Sequence, residues 1–336
     1  MTERILHVAM PGSSDQDAAL TRGLQTLGEV RRIDWPAFRH ADLQAQICAM
    51  AAGWATLVFA HLTRGGTGVD AAVVADLRRL APGVVVVQYE TDVYDEPDSE
   101  WRQWWVEFGR ACDASLIVTS SWLAWAEAQG VVRPGWLGFG VDCEVFRPLT
   151  LAAAGAKVDG GVFCKSIVAL ANDHGPHYPR YAHRNDLFRR VHEAFPNAFA
   201  LHGHGWEGSG LPYQRPLEPT AEAVVYTTAL AALIISYRND LSRYASDRLV
   251  RCLACGGVPV VEAFPDMRAL GLENGVNCLT FHDWPGLCAT LECILHGYVD
   301  IAAIRRGARA LGLRHSWAAK AQEIAALVAQ VRAERA

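Results

Sequence analysis

Tyr244-Ala245-Ser246-Asp247-Arg248-Leu249-Val250-Arg251-Cys252-Leu253-Ala254-Cys255-Gly256-Gly257-Val258-Pro259-Val260-Val261-Glu262 is the stretch that decides the fold. Ser246 or Asp247 can cap a helix over about 246–255, and Gly256-Gly257 ends it. The chain then passes directly into the short β-branched run Val258–Val261. The first N–H groups of such a helix lack partners within it, and Arg248 stands one turn in, with a planar fork suited to phosphate oxygens. Helix start and guanidinium together form an anion site. A capped helix with a surface arginine is the plainer reading of the same residues. Cys252 and Cys255 fall on the apolar stripe of the helix and read as core, not as a metal pair.

The same alternation of strand and helix extends outward through the chain. Downstream, a helical segment lies near 285–297, and the last helix begins at Ser316 with Ala321, Ile324, Leu327, Val328 and Val331 at helical spacing. Upstream, strand candidates are Val162–Leu170, Phe199–Leu201 and Ala232–Ser236, with helices near 184–194 and 219–230. In the first half the strand candidates are Ile5–Ala9, Val30–Trp35, Thr56–Ala60, Val84–Gln88 and Ser115–Thr119. Helical stretches separate them, beginning with the apolar pattern Ala18, Leu20, Leu24, Leu27 and continuing near 41–51, 69–80, 99–111 and 121–129. Strands separated by single helices imply right-handed crossovers and a parallel sheet. Val84-Val85-Val86-Val87, apolar on both faces, fits a strand covered on each side.

Length supports two such sheets: 336 residues at roughly 150 per domain. The fold class is α/β, with two Rossmann-like domains facing across a cleft. The expected boundaries are 1–148, an Ala/Gly-rich linker at 149–161, 162–315, and a closing helix at 316–336. A hydrophobic share of 51% supplies two cores and excludes a largely disordered chain. Lys+Arg 31 against Asp+Glu 36 gives a net charge of −5, which argues against a protein that coats nucleic acid through bulk charge. No apolar run reaches the ~18 residues of a membrane span, and the start MTERILHVAMPG lacks a signal peptide. Nine cysteines, odd in number and scattered, point to a reduced, cytoplasmic setting.

Open parallel sheets take ligands beyond the carboxyl ends of their strands. On the first sheet that edge holds Gly12, Ser13 and Ser14, then His61, then Glu90, Asp92 and Asp95. Asp92 is a candidate base for a hydroxyl acceptor, as is His61; solvated turn acids are the plain alternative. On the second sheet the edge holds Asn172, His202 to Trp206 and Glu262. Histidines at 174, 177 and 183, and at 202 and 204, lack the paired spacing of a zinc site, so neither a metal nor another cofactor is expected. Trp101, Trp104 and Trp105 read as one helix's packing face, with an aromatic sugar platform as the alternative.

The run Ser246-Asp247-Arg248 followed by Ala254-Cys255-Gly256-Gly257 resembles the donor-site helix of GT-B glycosyltransferases, in particular the CgeB-type spore-maturation group and its phage relatives. Three further motifs agree. Gly140-Val141-Asp142 with Phe146 and Pro148 resembles the signature ending the first domain. Asn274-Gly275-Val276-Asn277-Cys278-Leu279 with Phe281 resembles a late turn and strand, and His315-Ser316-Trp317 resembles the signature before the last helix. The resemblance runs over about residues 4–329. It implies a metal-independent transfer of a sugar from a nucleoside-diphosphate sugar, a UDP-sugar first among them, to a hydroxyl acceptor of unnamed class. It also implies donor contacts from Asn172, Arg184, Gly203, Gly205, Ser246, Asp247, Arg248, Gly256 and Gly257, with Asp92 matching an acidic motif of the first domain. One departure stands out: the glutamates usual in retaining members are replaced here by Arg251 and Arg243, which leaves Glu262 as the substitute carboxylate. The phage relatives bring in a second acceptor, DNA bearing hydroxymethylated bases, for which arginines 180, 184, 189 and 190, with 238, 243, 248 and 251, would line a basic cleft. A nucleotide-sugar epimerase and a non-catalytic nucleotide-sugar binder remain as competing readings.

Overall fold

The computed structural model describes residues 2–9, 16–34, 40–61, 69–93, 100–150, 165–173 and 181–336. The chain folds as two compact units, Met1–Gly140 with Trp317–Ala336, and Val141–Ser316. The division falls where two of the sequence motifs run side by side. Val141 N–H donates to His315 O at 2.9 Å and Val141 bridges Ser316, while a Cβ on Gly140 would lie 2.4 Å from the Trp317 ring. The 149–161 stretch expected as linker lies, from 151 on, outside the described residues.

The first unit contains β1 (Glu3–Ala9), α1 (Gln16–Gln25), β2 (Gly28–Asp34), α2 (His40–Ala51), β3 (Leu57–His61), α3 (Ala72–Leu80), β4 (Val85–Glu90), α4 (Glu100–Ala111), β5 (Ala114–Ile117), α5 (Leu123–Ala128) and β6 (Pro134–Trp136). Its sheet has the order β2-β1-β3-β4-β5-β6, with every pairing parallel. Side chains alternate across it. Leu6, Val8, Val58, Ala60 and Val86 meet Leu43, Ile47, Val74, Leu77 and Phe108 in one core. The alternate residues form the other face, where rings pair in sequence: His7 with Phe59, Phe59 with Tyr89, His61 with Tyr89, and Tyr89 with Trp317.

The second unit contains β7 (Ile167–Leu170), α6 (Tyr181–Ala194), β8 (Phe199–His202), β9 (Tyr213–Gln214), α7 (Pro219–Thr228), β10 (Ala231–Ile234), α8 (Asp247–Ala254), β11 (Pro259–Glu262), β12 (Leu279–Phe281), α9 (Trp284–Leu295) and α10 (Ile301–Arg314). Its order is β12-β11-β10-β7-β8-β9, again parallel throughout. Leu187, Phe188, Val191, Leu287, Leu291 and Ile294 close a core on Ile167, Ala169, Leu201, Leu233 and Val260. The final helix, α11 (Trp317–Arg335), returns to the first unit: Arg332 pairs with Glu3 at 2.5 Å, and Arg335 donates to Val84 O at 3.0 Å. The fold is thus the two-sheet α/β architecture expected. The short strands β6 and β9 and the helix α10 are additions that the strand and helix patterns did not disclose.

Candidate functional site

In each sheet the strand order reverses at one place, beside β1 and β3 in the first unit and beside β7 and β10 in the second. Ligands of open parallel sheets bind beyond the carboxyl ends at such reversals.

In the second unit that edge holds the start of α8. Ser246 precedes the helix in extended conformation, and its hydroxyl makes no cap. The Ser246 N–H donates to Ser236 Oγ at 3.0 Å, while Ser246 Oγ is buried and has no hydrogen-bond partner. The helix therefore starts with its own N–H groups unclaimed by a cap and a polar oxygen held beside them. Asp247 Oδ2 sits 2.7 Å from Arg251, which reaches Glu222 at 3.2 Å. Burial alone would favour neutral forms in this trio. The two carboxylates outweigh it at Arg251 and raise its pKa, whereas burial prevails at Glu222 and raises its pKa despite Arg251. Arg251, at the position where the resemblance implies a carboxylate, thus serves an internal ion pair. Arg248 is half-buried on the first turn.

The other predicted donor residues divide. Asn172 and the loop 202–206 do come together: Asn172 Oδ1 accepts from His204 N–H at 3.0 Å, and Trp206 Nε1 donates to Ala171 O at 2.7 Å. Gly203 and Gly205 serve this loop-to-loop packing, because a Cβ would lie 1.8 Å from Ala171 O or 1.9 Å from Asp173 O. Arg184 is buried, lies over the Tyr181 ring and donates to the Asn172 carbonyl, so it shapes the loop from within. Glu262 ends β11 and accepts from Asn239 Nδ2, with His183 Nε2 at 2.7 Å. Gly256 and Gly257 lie at the far end of α8, before β11, where Gly256 adopts φ +62 and a Cβ on Gly257 would meet Cys252 Sγ at 2.6 Å. The structure does not bring them to the Ser246 end, so their role is to terminate the helix. Cys252 and Cys255 are fully buried, consistent with core packing.

In the first unit the edge is built around His61. Its Nδ1 lies 2.6 Å from Asp17 Oδ1 and its Nε2 2.9 Å from Thr91 Oγ1. Burial lowers the affinity of His61 for a proton, but the Asp17 charge and hydrogen bond outweigh it and raise the pKa. His7, fully buried nearby, has its pKa pushed down to about 3 by burial. Glu90, expected to face an acceptor, points inward: it is fully buried and accepts from Asp92 N–H at 2.6 Å. Burial pushes its pKa up to about 7 against the opposing charge of Arg102, 3.8 Å away. Arg102 also donates to Asp92 O at 2.6 Å and lies over Trp122, so the Thr91–Asp92 turn is fixed from both backbone ends. Asp92 remains half-buried on that turn. Gly12, Ser13 and Ser14 lie outside the described residues. Asp17 is the residue the sequence reading missed; its only signal was an acidic first turn after β1.

Among the described residues no group of three His, Cys, Asp or Glu is placed to hold a metal ion, and no helix is long and apolar enough to cross a membrane. His174 and His177 lie outside them. Four of the arginines expected to line a basic cleft pair with neighbouring carboxylates, and Arg180 lies outside the described residues. Arg238 pairs with Asp240 at 2.8 Å, Arg251 with Asp247 and Glu222, and Arg189 and Arg190 with Asp186. Trp104 stacks on Phe108 and Trp105 on Trp125, as a packing face requires, while the Trp101 side chain lies outside what is described.

Residues 183–326 match a family profile described as glycosyl transferase-like. No curated protein matches the chain in sequence. Solved structures match over nearly its whole length. HepE of Anabaena is 13% identical with a TM-score of 0.67, covering 98% of this chain and 100% of that one. Sucrose-phosphate synthase of Thermosynechococcus elongatus is 14% identical with a TM-score of 0.66, covering 99% and 100%. A UDP-forming trehalose-phosphate synthase of Burkholderia xenovorans is 12% identical with a TM-score of 0.65, covering 98% and 99%.

Proposed function

We propose that this glycosyltransferase, GT-B in fold and glycosyl transferase-like over residues 183–326, moves a sugar from a nucleoside-diphosphate sugar to a hydroxyl acceptor. The observation that carries the reading is the start of α8 at the strand-order reversal. Its N–H groups have no side-chain cap, and the Ser246 hydroxyl is buried there without a partner. A diphosphate supplies the Ser246 hydroxyl with an anionic acceptor at the start of a helix, where backbone donors favour negative charge. A UDP-sugar is the donor we favour, since HepE has been solved with UDP-glucose and with UDP and glucose.

The difficult step is departure of the diphosphate, which gains negative charge as the sugar–oxygen bond breaks. Fixed positive dipoles aimed at that oxygen stabilise the transition state without reorganisation. The α8 start and Arg248 supply them from the chain itself, so transfer needs no divalent cation and proceeds unchanged in a chelator. To Glu262, at the end of β11, we assign the donor-hydroxyl contact expected of the carboxylates that Arg251 and Arg243 replace. The acceptor must lose a proton. Of the two candidates, His61 has its ring nitrogen fixed by Asp17, whereas Asp92 has its backbone tied into the turn. The match to a glycosyl transferase-like profile lends no support to a DNA acceptor, an epimerase or a silent binder.

Arg248→Ala tests the diphosphate role. With UDP-glucose as donor, we expect UDP release to fall about 100-fold or more while the circular dichroism spectrum is unchanged. Near-normal turnover would remove Arg248 from the site.

A further inference from the structure

We infer that Asp17, His61 and Thr91 form a proton relay, in which the Thr91 hydroxyl takes the proton of the acceptor while passing its own to His61. The inference rests on the glycosyl-transfer reading above. It stands on the linear arrangement of the three residues: Asp17 Oδ1 to His61 Nδ1 at 2.6 Å, and His61 Nε2 to Thr91 Oγ1 at 2.9 Å. Asp17 and His61 are each only 4% exposed, whereas Thr91 is half-buried and is the member that meets solvent.

A satisfied core histidine is the competing explanation, and energetics speaks against it. Withdrawing an Asp–His pair from water costs several kcal/mol, and apolar residues of similar volume would serve packing as well. Asp17 Oδ2 and His7 Nε2 beside the pair are buried without hydrogen-bond partners, a cost that packing alone does not offset. Position favours chemistry. His61 ends β3, Asp17 lies in α1 directly after β1, and those two strands flank the reversal of the first sheet. The turn bearing Thr91 is locked by Glu90 at Asp92 N–H and by Arg102 at Asp92 O, which holds the hydroxyl on the imidazole.

The step balances without a co-reactant. The acceptor oxygen forms a bond to the anomeric carbon as the bond to the diphosphate breaks, and that electron pair leaves on the diphosphate. The acceptor proton passes to Thr91 Oγ1, the Thr91 proton passes to His61 Nε2, and Asp17 stabilises the imidazolium. A base on the acceptor side fits a single in-line displacement.

Several charged groups bear on His61: Asp17 on α1, His7 on β1, and Glu90 and Tyr89 on β4. Behind them Arg32 on β2 acts on Asp17, Arg102 on Glu90, and Glu323 on Tyr89. Because Asp17 raises the His61 pKa above 6.5, the neutral, accepting form grows as pH rises through that raised value. Turnover should rise with it. Without the Asp17 charge, burial dominates, so the inflection moves to lower pH in Asp17→Asn.

The test uses the full chain with UDP-glucose, glycerol and water as acceptors, measuring UDP release against pH and UDP binding separately. Expected results are a loss of about 100-fold or more in kcat for Asp17→Asn and Thr91→Val, with recovery in Thr91→Ser and UDP affinity unchanged throughout. Unchanged kcat in Thr91→Val, or an inflection that Asp17→Asn does not move, would overturn the relay and leave the donor reading intact. Wild-type chain that binds UDP but releases none from UDP-glucose would also overturn it. Failure to bind UDP at all would defeat the donor reading first.

Discussion

At the scale of single residues, Arg251 shows how an arginine at a position expected to carry a carboxylate stays structurally occupied. Its guanidinium lies 2.7 Å from Asp247 and 3.2 Å from Glu222, and its side chain is 13% exposed. Removing one member of such a pair leaves a buried carboxylate without compensation. Arg251→Met should therefore destabilise the fold by about 3 kcal/mol, read as a lower Tm, and Glu222→Leu in the same chain should restore most of the loss. The departure itself was legible, since Arg251 and Arg243 stand in the sequence. The destination of the charge was not, because Glu222 lies on another helix, α7. Asp17 was hidden for a similar reason. It meets His61 only because β1 and β3 pair, His7 beside Phe59, after the chain has first laid down β2 on the opposite side.

At the scale of elements, the strands that build both sheets were readable, because runs such as Val85–Glu90 are buried along their whole length. Those that were missed carry weak local signals. β6 is the three-residue Pro134-Gly135-Trp136, and β9 has two residues. The helix α10 was obscured by its arginines, two of which are half-buried and bind carbonyls: Arg305 donates to those of Thr227 and Ala229, and Arg309 to that of Ala254. A charged helix used in this way reads as a polar segment. The motif at Asn274–Leu279 proved to be a self-contained turn, with Gly275 at φ +79 and Asn277 bonded to both Glu273 and Gly271. The α8 helix was legible from cap to terminating glycines. What the sequence did not disclose is that the Ser246 side chain makes no cap at the start of that helix.

At the scale of the whole molecule, α11 belongs to the unit that opens the chain. Trp317, Ala321, Ile324, Val328 and Val331 are buried, and Arg332 reaches Glu3 and Thr56 O. Deleting residues 317–336 should expose the 2–140 region to limited proteolysis, with cleavage mapped by mass spectrometry, while 181–316 stays resistant. The claim on which the functional account rests is that the Ser246 end of α8 holds a nucleoside diphosphate. The most direct check is the melting temperature of the full chain in a panel of UDP, GDP and dTDP, with the Arg248→Ala variant in parallel, since a ligand that binds only the folded state raises Tm by mass action. The account predicts that UDP raises the Tm of the wild type and that Arg248→Ala loses most of the shift. No shift with any of the three, or an equal shift in the variant, would contradict it.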